Sequence, residues 1–258
     1  MTVSLIVTTY NWPQALALVL ISAMDQTVLP DEIVMADDGS ISETAELIRN
    51  IAKESMVPIY HAWQPDEGFR AASARNGAIR RASGEYLILI DGDMILHPRF
   101  IEDHLSYAKR GTFVQGSRVL LDEKKSEEVL QKRQYGFSLF EAGIHNRKNA
   151  FHSNMLYSLF SKDNSSLKGI KSCNFALFRE DIDRVNGFNE DFIGWGREDS
   201  ELAVRLMNAG IKRRDIRFHA IAYHLYHREN TRTSLPENDE RLQEAIAQKK
   251  IWCDKGLA

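Results

Sequence analysis

Two carboxylates, Asp91 and Asp93, flank a glycine at the end of the apolar run Tyr86-Leu87-Ile88-Leu89-Ile90. Hard divalent cations take oxygen ligands, and in an open α/β sheet ligands gather outside the carboxyl ends of the strands. The pair is therefore suited to hold a divalent metal and, beside it, a diphosphate. A solvated turn after a buried strand has the same local pattern, so the rest of the chain must decide.

Two more loops end apolar runs in the same half: Thr8-Thr9-Tyr10-Asn11 and Asp37-Asp38-Gly39-Ser40. In a wound sheet both open on the edge that carries Asp91 and Asp93. Asp38 can accept from the imide N–H of a uracil, and the ring of Tyr10 can pack on the base. A turn followed by a helix cap from Ser40 or Ser42 accounts equally for the second loop as local chemistry. Further along, Gly194-Trp195-Gly196-Arg197-Glu198-Asp199 leads into a helical pattern. Asp199, with Glu198 beside it, is a carboxylate at a first helical turn that can take a proton from an attacking hydroxyl. Gly194 and Gly196 let backbone approach a sugar, and Trp195 offers it a flat apolar face. Complementing the helix N-terminus is the plainer role for the two acids. His224 and His227 are spaced i, i+3, which does not by itself define a site.

The elements that must position these groups follow from patterning. Strands are expected over 3–8, 32–36, 58–61 and 86–90, alternating with helices over 13–25, 42–53 and 71–82. This is the signature of βαβ units and a mainly parallel, right-handed wound sheet. Glycine-rich dinucleotide and P-loop signatures are absent. Over 121–167 the pattern breaks into a charged run and then basic residues interleaved with Phe137, Phe140, Phe151, Tyr157 and Phe160. That segment reads as an amphipathic insertion, a mobile acceptor lid or a membrane-surface patch. Patterning resumes over 171–178, with helices near 180–185 and over 199–209. Residues 236–256 read as one polar helix packing Leu242 and Ile246, with Ile251 and Trp252 as further candidates. The organisation expected is a nucleotide-sugar half over 1–120, an acceptor and catalytic half over 121–235, and a helical tail over 236–258.

At 258 residues and a net charge of −3, the chain has room for one large α/β domain and no basic excess suggesting a nucleic-acid partner. No export signal is expected ahead of the first strand, and no apolar run approaches the ~20 residues of a spanning helix. Cys173 and Cys253 lack metal-type spacing and are expected as reduced thiols of a cytoplasmic protein.

Residues 3–99 resemble glycosyltransferase family 2, nucleotide-sugar enzymes of the GT-A fold, through Thr8-Thr9-Tyr10-Asn11, Asp37-Asp38-Gly39-Ser40, the 68–76 segment and Asp91-Gly92-Asp93. The resemblance implies an α/β, Rossmann-like single domain with a mixed, mainly parallel sheet. By it, Thr8, Tyr10 and Asp38 hold uridine, Arg70, Arg75 and Asn76 brace the nucleotide side, Asp91 touches the ribose, and Asp93 binds Mn²⁺ or Mg²⁺. The 194–199 segment is similar to that of β-1,4-galactosyltransferases and of chondroitin-polymerase-type bacterial enzymes. Those relatives place a metal-binding histidine downstream; His224 and His227 both qualify, His224 being preferred. The resemblance thus implies a UDP-sugar donor, with galactose or N-acetylgalactosamine favoured over glucose or N-acetylglucosamine. It also implies a glycan or lipid-linked glycan acceptor, such as a lipopolysaccharide or capsule precursor, and a peripheral contact with the inner face of the membrane through the insertion or the tail. A base candidate separate from the metal site, with no candidate covalent nucleophile, points to inversion. A sugar nucleotidyltransferase and a non-catalytic nucleotide-sugar-binding module are the readings of other classes.

Overall fold

Alternation along the first strand sets the architecture. The computed structural model describes residues 1–228 and 231–258. In β1 (Val3–Thr9), Leu5 and Val7 enter one apolar core and Ile6 the other, so both faces are buried, as a strand covered by helices on each side requires. After α1 (Pro13–Met24) come β2 (Glu32–Asp37), α2 (Ser42–Glu54), β3 (Ile59–Trp63), α3 (Ala71–Arg81) and β4 (Tyr86–Asp91). Tyr86, Ile88 and Ile90 of β4 join the first core, and Leu87 and Leu89 the second. Proline at the start of α1 suits a position whose N–H has no helical partner. Alanines at 71, 72, 74 and 78 of α3 are buried and let that helix lie close on the sheet.

Beyond β4 the strands are short: β5 (Met94–Leu96), α4 (Phe100–Tyr107), β6 (Thr112–Gln115), β7 (Ser117–Leu121), α5 (Glu123–Lys132), β8 (Ile144–His145), α6 (Asn154–Phe160), β9 (Lys162–Asn164), β10 (Asn174–Phe178) and α7 (Arg179–Asp183). The series ends with α8 (Glu198–Asn208), β11 (Lys212–Asp215), β12 (Ile221–His224) and α9 (Leu235–Ala247). An eight-stranded sheet has the order β3-β2-β1-β4-β10-β6-β11-β9, parallel through its first four strands and antiparallel on both sides of β10. A four-stranded sheet, β5-β12-β7-β8, packs on the other side of α1, whose Leu16, Val19 and Leu20 enter one core while Ala15 and Leu18 enter another. Burial of α1 all round follows from that sandwiching.

Two expectations change. The tail helix stops at Ala247, and Ile246, Ile251 and Trp252 are exposed; only Leu242 and Ala245 of its apolar residues are buried. The backbone at Lys249 turns into the left-handed region, and residues 253–258 then fold back onto Asn186. The 121–167 segment is built rather than irregular: α5, β8, α6 and β9 lie in it, with Phe137 stacked on Tyr223 and Tyr157 on His219. Among the described residues no helix is long and apolar enough to cross a membrane.

Candidate active site

Register brings the signalled loops together. Thr8 pairs with Asp91 and Thr9 with Asp37, so the ends of β1, β2 and β4 meet at one edge. Gly92 donates its N–H to the Thr8 carbonyl at 2.6 Å, and a β-carbon there would lie 2.8 Å from that oxygen, which explains the glycine between the two aspartates. The chain then enters β5, where Met94 pairs with His224 of β12.

This pairing builds a three-ligand cluster. His224 Nε2 is 3.5 Å and His227 Nε2 3.3 Å from Asp93 Oδ2. Asp93 Oδ1 is buried with no hydrogen-bond partner among the described residues, and burial followed by the charge of Asp91 pushes this carboxyl up. His224 is pushed down to about 3, chiefly by burial, so its ring is neutral and able to coordinate. His227 Nδ1 lies 2.9 Å from the Arg228 carbonyl; donating there leaves Nε2 as the lone-pair nitrogen facing Asp93. One carboxylate, two imidazoles and an orphaned buried oxygen fit a divalent cation.

A buried arginine organises the other half of the crevice. Arg75, on α3, donates from Nε to Thr8 Oγ1 (3.1 Å), from one terminal nitrogen to Asp91 (3.1 Å) and from the other to Glu198 (3.2 Å). Burial alone would make it easier to deprotonate, but the facing Asp91 and Glu198 charges outweigh that and raise its pKa. Glu198 Oε2 is buried without a hydrogen-bond partner among the described residues, an acceptor that a ligand hydroxyl can satisfy. Next to it, Asp199 Oδ1 accepts from Ser200 N–H (2.6 Å) and Oγ (3.2 Å), while no partner of Oδ2 is found among the described residues. Burial, then the neighbouring Glu198 charge, pushes the Asp199 carboxyl up to about 7. A carboxylate of that basicity suits a general base. Asp199, Trp195, Gly196, Lys171 and Arg232 line a cavity of about 340 Å³.

The glycines around Trp195 answer to protein packing more than to close ligand approach. Gly194 has φ +77°, and a β-carbon on it would lie 2.2 Å from Ser234 Oγ; Gly196 has φ +105°. Asn238 of α9 donates to the carbonyls of Ile193 and Gly196 and so pins this loop from the C-terminal side. Trp195 lies under the Arg232 guanidinium, 5.3 Å from the ring centre.

On the opposite side, Asp38 is buried and accepts from Gln64 Nε2 and the Arg70 N–H, both at 2.7 Å; burial raises its pKa. Tyr10 is half exposed, with its hydroxyl donating to Asp66. Two nucleotide-side expectations shift. The Arg70 guanidinium is spent on the Pro65 carbonyl and Glu67, within its own loop. Asn76 is fully buried and exchanges hydrogen bonds with the backbone of Phe188 while donating to Glu190, so it holds the 186–190 turn instead of facing the crevice. Missed by sequence reasoning were Gln64, Asp66, Arg118 and Lys171. Arg118 on β7 lies 4.0 Å from Cys173 Sγ, and Lys171 precedes β10, whose first residue pairs with Ile90. The Lys171 pKa is lowered by burial and then by Arg118. Single cations outside any motif carry no local signal.

The model of glycosyl transferase family 2 matches residues 4–185, well over half of this chain. The chain belongs to that family. The remaining half of the crevice falls in a second match, to the model described as the N-terminal domain of galactosyltransferase, over residues 157–228. Validoxylamine A glucosyltransferase of Streptomyces hygroscopicus subsp. limoneus is 31% identical over 81% of this chain and 48% of its own length. Chondroitin synthase of Escherichia coli is 24% identical over 86% of the chain and 34% of its own length. The chain thus spans half or less of the length of these relatives. Among solved structures, S. aureus TarS 1-349 in complex with UDP-GlcNAc superposes with a TM-score of 0.69 at 16% identity, covering all of this chain and 68% of that one. The mannosyltransferase PcManGT from Pyrobaculum calidifontis, in complex with GDP-Man and Mn²⁺, gives 0.59 at 20% identity over 88% and 57%. At such identities these likenesses speak for the fold, which is GT-A, an α/β domain with a mixed central sheet flanked by helices.

Proposed function

We propose that the chain is an inverting glycosyltransferase that moves a hexose or N-acetylhexosamine from a UDP-sugar to a hydroxyl of a glycan acceptor, such as a lipopolysaccharide or capsule precursor. The observation that carries this reading is the Arg75 bridge, which joins the Asp91 end of β4 to the Glu198–Asp199 start of α8. A nucleotide-side carboxylate and a base candidate are thereby held across one crevice.

In the mechanism, Asp38 accepts from the uracil imide beside Tyr10, and Asp91 accepts from the ribose. Asp199 takes the proton of the acceptor hydroxyl as its oxygen attacks the anomeric carbon. The bond to the UDP oxygen breaks on the opposite face, and its electron pair leaves with the diphosphate; an α-linked donor gives a β-glycoside. Arg118, whose charge acts on Asp93 and His224, offers positive charge on that side of the crevice, while Lys171 lines the cavity beside Asp199. A divalent cation held by Asp93, His224 and His227 would supply further charge beside the departing diphosphate, and two imidazoles in the set favour Mn²⁺ over Mg²⁺. Glu198 accepts from a donor hydroxyl through its orphaned Oε2, and Trp195 packs on a sugar face.

Galactose or N-acetylgalactosamine is the favoured donor sugar, supported by the galactosyltransferase match over 157–228. Glucose or N-acetylglucosamine is the second reading, favoured by the relatives named as glucosyltransferases. The test is slow hydrolysis of UDP-Gal, UDP-GalNAc, UDP-Glc and UDP-GlcNAc with and without Mn²⁺. One sugar released only with metal is the expected result. Failure of every UDP-sugar to bind with metal would overturn the reading in favour of a nucleotidyltransferase or a non-catalytic module.

A further inference from the structure

Four large apolar side chains are exposed on and beside α6. Phe151 is 42% exposed, Met155 72%, Leu159 72% and Phe160 49%. Met155 and Leu159 are i, i+4 on one helix face. The inner face is anchored: the Tyr157 ring meets Tyr107 at 5.3 Å and stacks on His219 at 4.4 Å, His219 is bonded to Asn154, and Ser153 caps the helix through the Leu156 N–H. The outward residues are therefore held outward.

Phe218 lies against this patch, with its ring centre 6.3 Å from that of Phe151 and 5.5 Å from that of Phe160, and its carbonyl accepts from Ser153. Its backbone is left-handed, φ +63°, which is unfavourable for a bulky residue and persists only where surrounding contacts over-determine it. Exposed cations, Lys148, Lys162 and Arg217, flank the apolar residues in sequence, and the Arg217 N–H bonds Ser161 Oγ at the end of α6. The neighbouring acid, Asp163, is paired with Arg214.

We infer that Phe151, Met155, Leu159 and Phe160, rimmed by Lys148, Lys162 and Arg217, form a docking face for the surface of an anionic lipid bilayer. Apolar side chains that enter the acyl boundary, with lysine and arginine at headgroup level, are the chemistry of interfacial binding. A second copy fits less well, because a two-fold contact would set the same cations against each other. The inference assigns the membrane contact to the insertion and not to the tail, and it is independent of the donor sugar.

The test is co-sedimentation with vesicles of phosphatidylcholine alone and of phosphatidylcholine mixed with phosphatidylglycerol. The protein should sediment with the anionic vesicles only, and less so as salt rises. The double variant Met155→Ser/Leu159→Ser, at positions too exposed to threaten folding, should lower partitioning by about tenfold or more. Lys162→Glu/Arg217→Glu should do the same through charge, by about tenfold or more. Trp252→Ser in the tail should leave it unchanged, and donor hydrolysis should be unaffected in all variants. Absence of vesicle binding, loss of binding only in the tail variant, or a dimer in light scattering that Leu159→Ser dissolves would each overturn the inference.

Discussion

Under the proposed mechanism, Asp199 sets stability against activity in one residue. Its folded pKa is raised above that of an unfolded chain, so the fold favours the protonated form. The stability this contributes is full below the ordinary carboxylate pKa and is lost as pH rises through about 7. Asp199→Asn should therefore melt higher than the wild type at about pH 8, with the difference closing by about pH 4 in scanning fluorimetry. The same variant should lose on the order of 10²–10⁴-fold in transfer while still binding UDP, and wild-type transfer should climb with pH through about 7. Normal turnover in a folded Asp199→Asn would remove it as the base. Arg75 has the opposite economy. Replacing it with methionine leaves Asp91 and Glu198 facing each other without their cation, and a loss of about 3–5 kcal/mol is expected from denaturant titration. A cost below about 1 kcal/mol would mean that the bridge is slack.

At the scale of elements, the 194–199 loop depends on α9. Gly194→Ala combines a left-handed backbone with a clash on Ser234, so it should destabilise by about 1–3 kcal/mol, and Ser234→Gly should recover only the clash. Asn238→Ala frees the Ile193 and Gly196 carbonyls and should lower the transfer rate while sparing UDP affinity. An equal loss of UDP affinity would show that the loop serves the donor instead. What could be read in advance divides along the same line. β1, β2 and β4 are buried on both faces and announce themselves as apolar runs with helical periods between them. β5, β8 and β9 have only two or three residues, too few for a period, and owe their existence to partners distant in sequence. Asp91, Asp93 and Asp199 stood out as carboxylates at strand and helix ends inside short motifs, and His224 and His227 only through the family resemblance. Gln64, Asp66, Arg118 and Lys171 did not, since only the pairing of remote strands gives them a position. Asn76 misled for the same reason: its partners lie at 188 and 190.

For the molecule as a whole, the three metal-ligand candidates join the β4–β5 turn to the end of β12, across the boundary between the two sheets. His224→Ala and His227→Ala should each weaken Mn²⁺-dependent UDP binding by about tenfold or more, and titration calorimetry with and without chelator checks this. Undiminished metal-dependent binding in either variant would release that histidine from the set. The Asn238 clasp has a consequence in time. β1, β2 and β4 lie within residues 3–91, and they pair with one another inside that span. The loop that leads into Asp199 takes its clasp from residues 234–238. During vectorial synthesis, a chain on the ribosome can pair β1, β2 and β4 before the loop that leads into Asp199 is clasped.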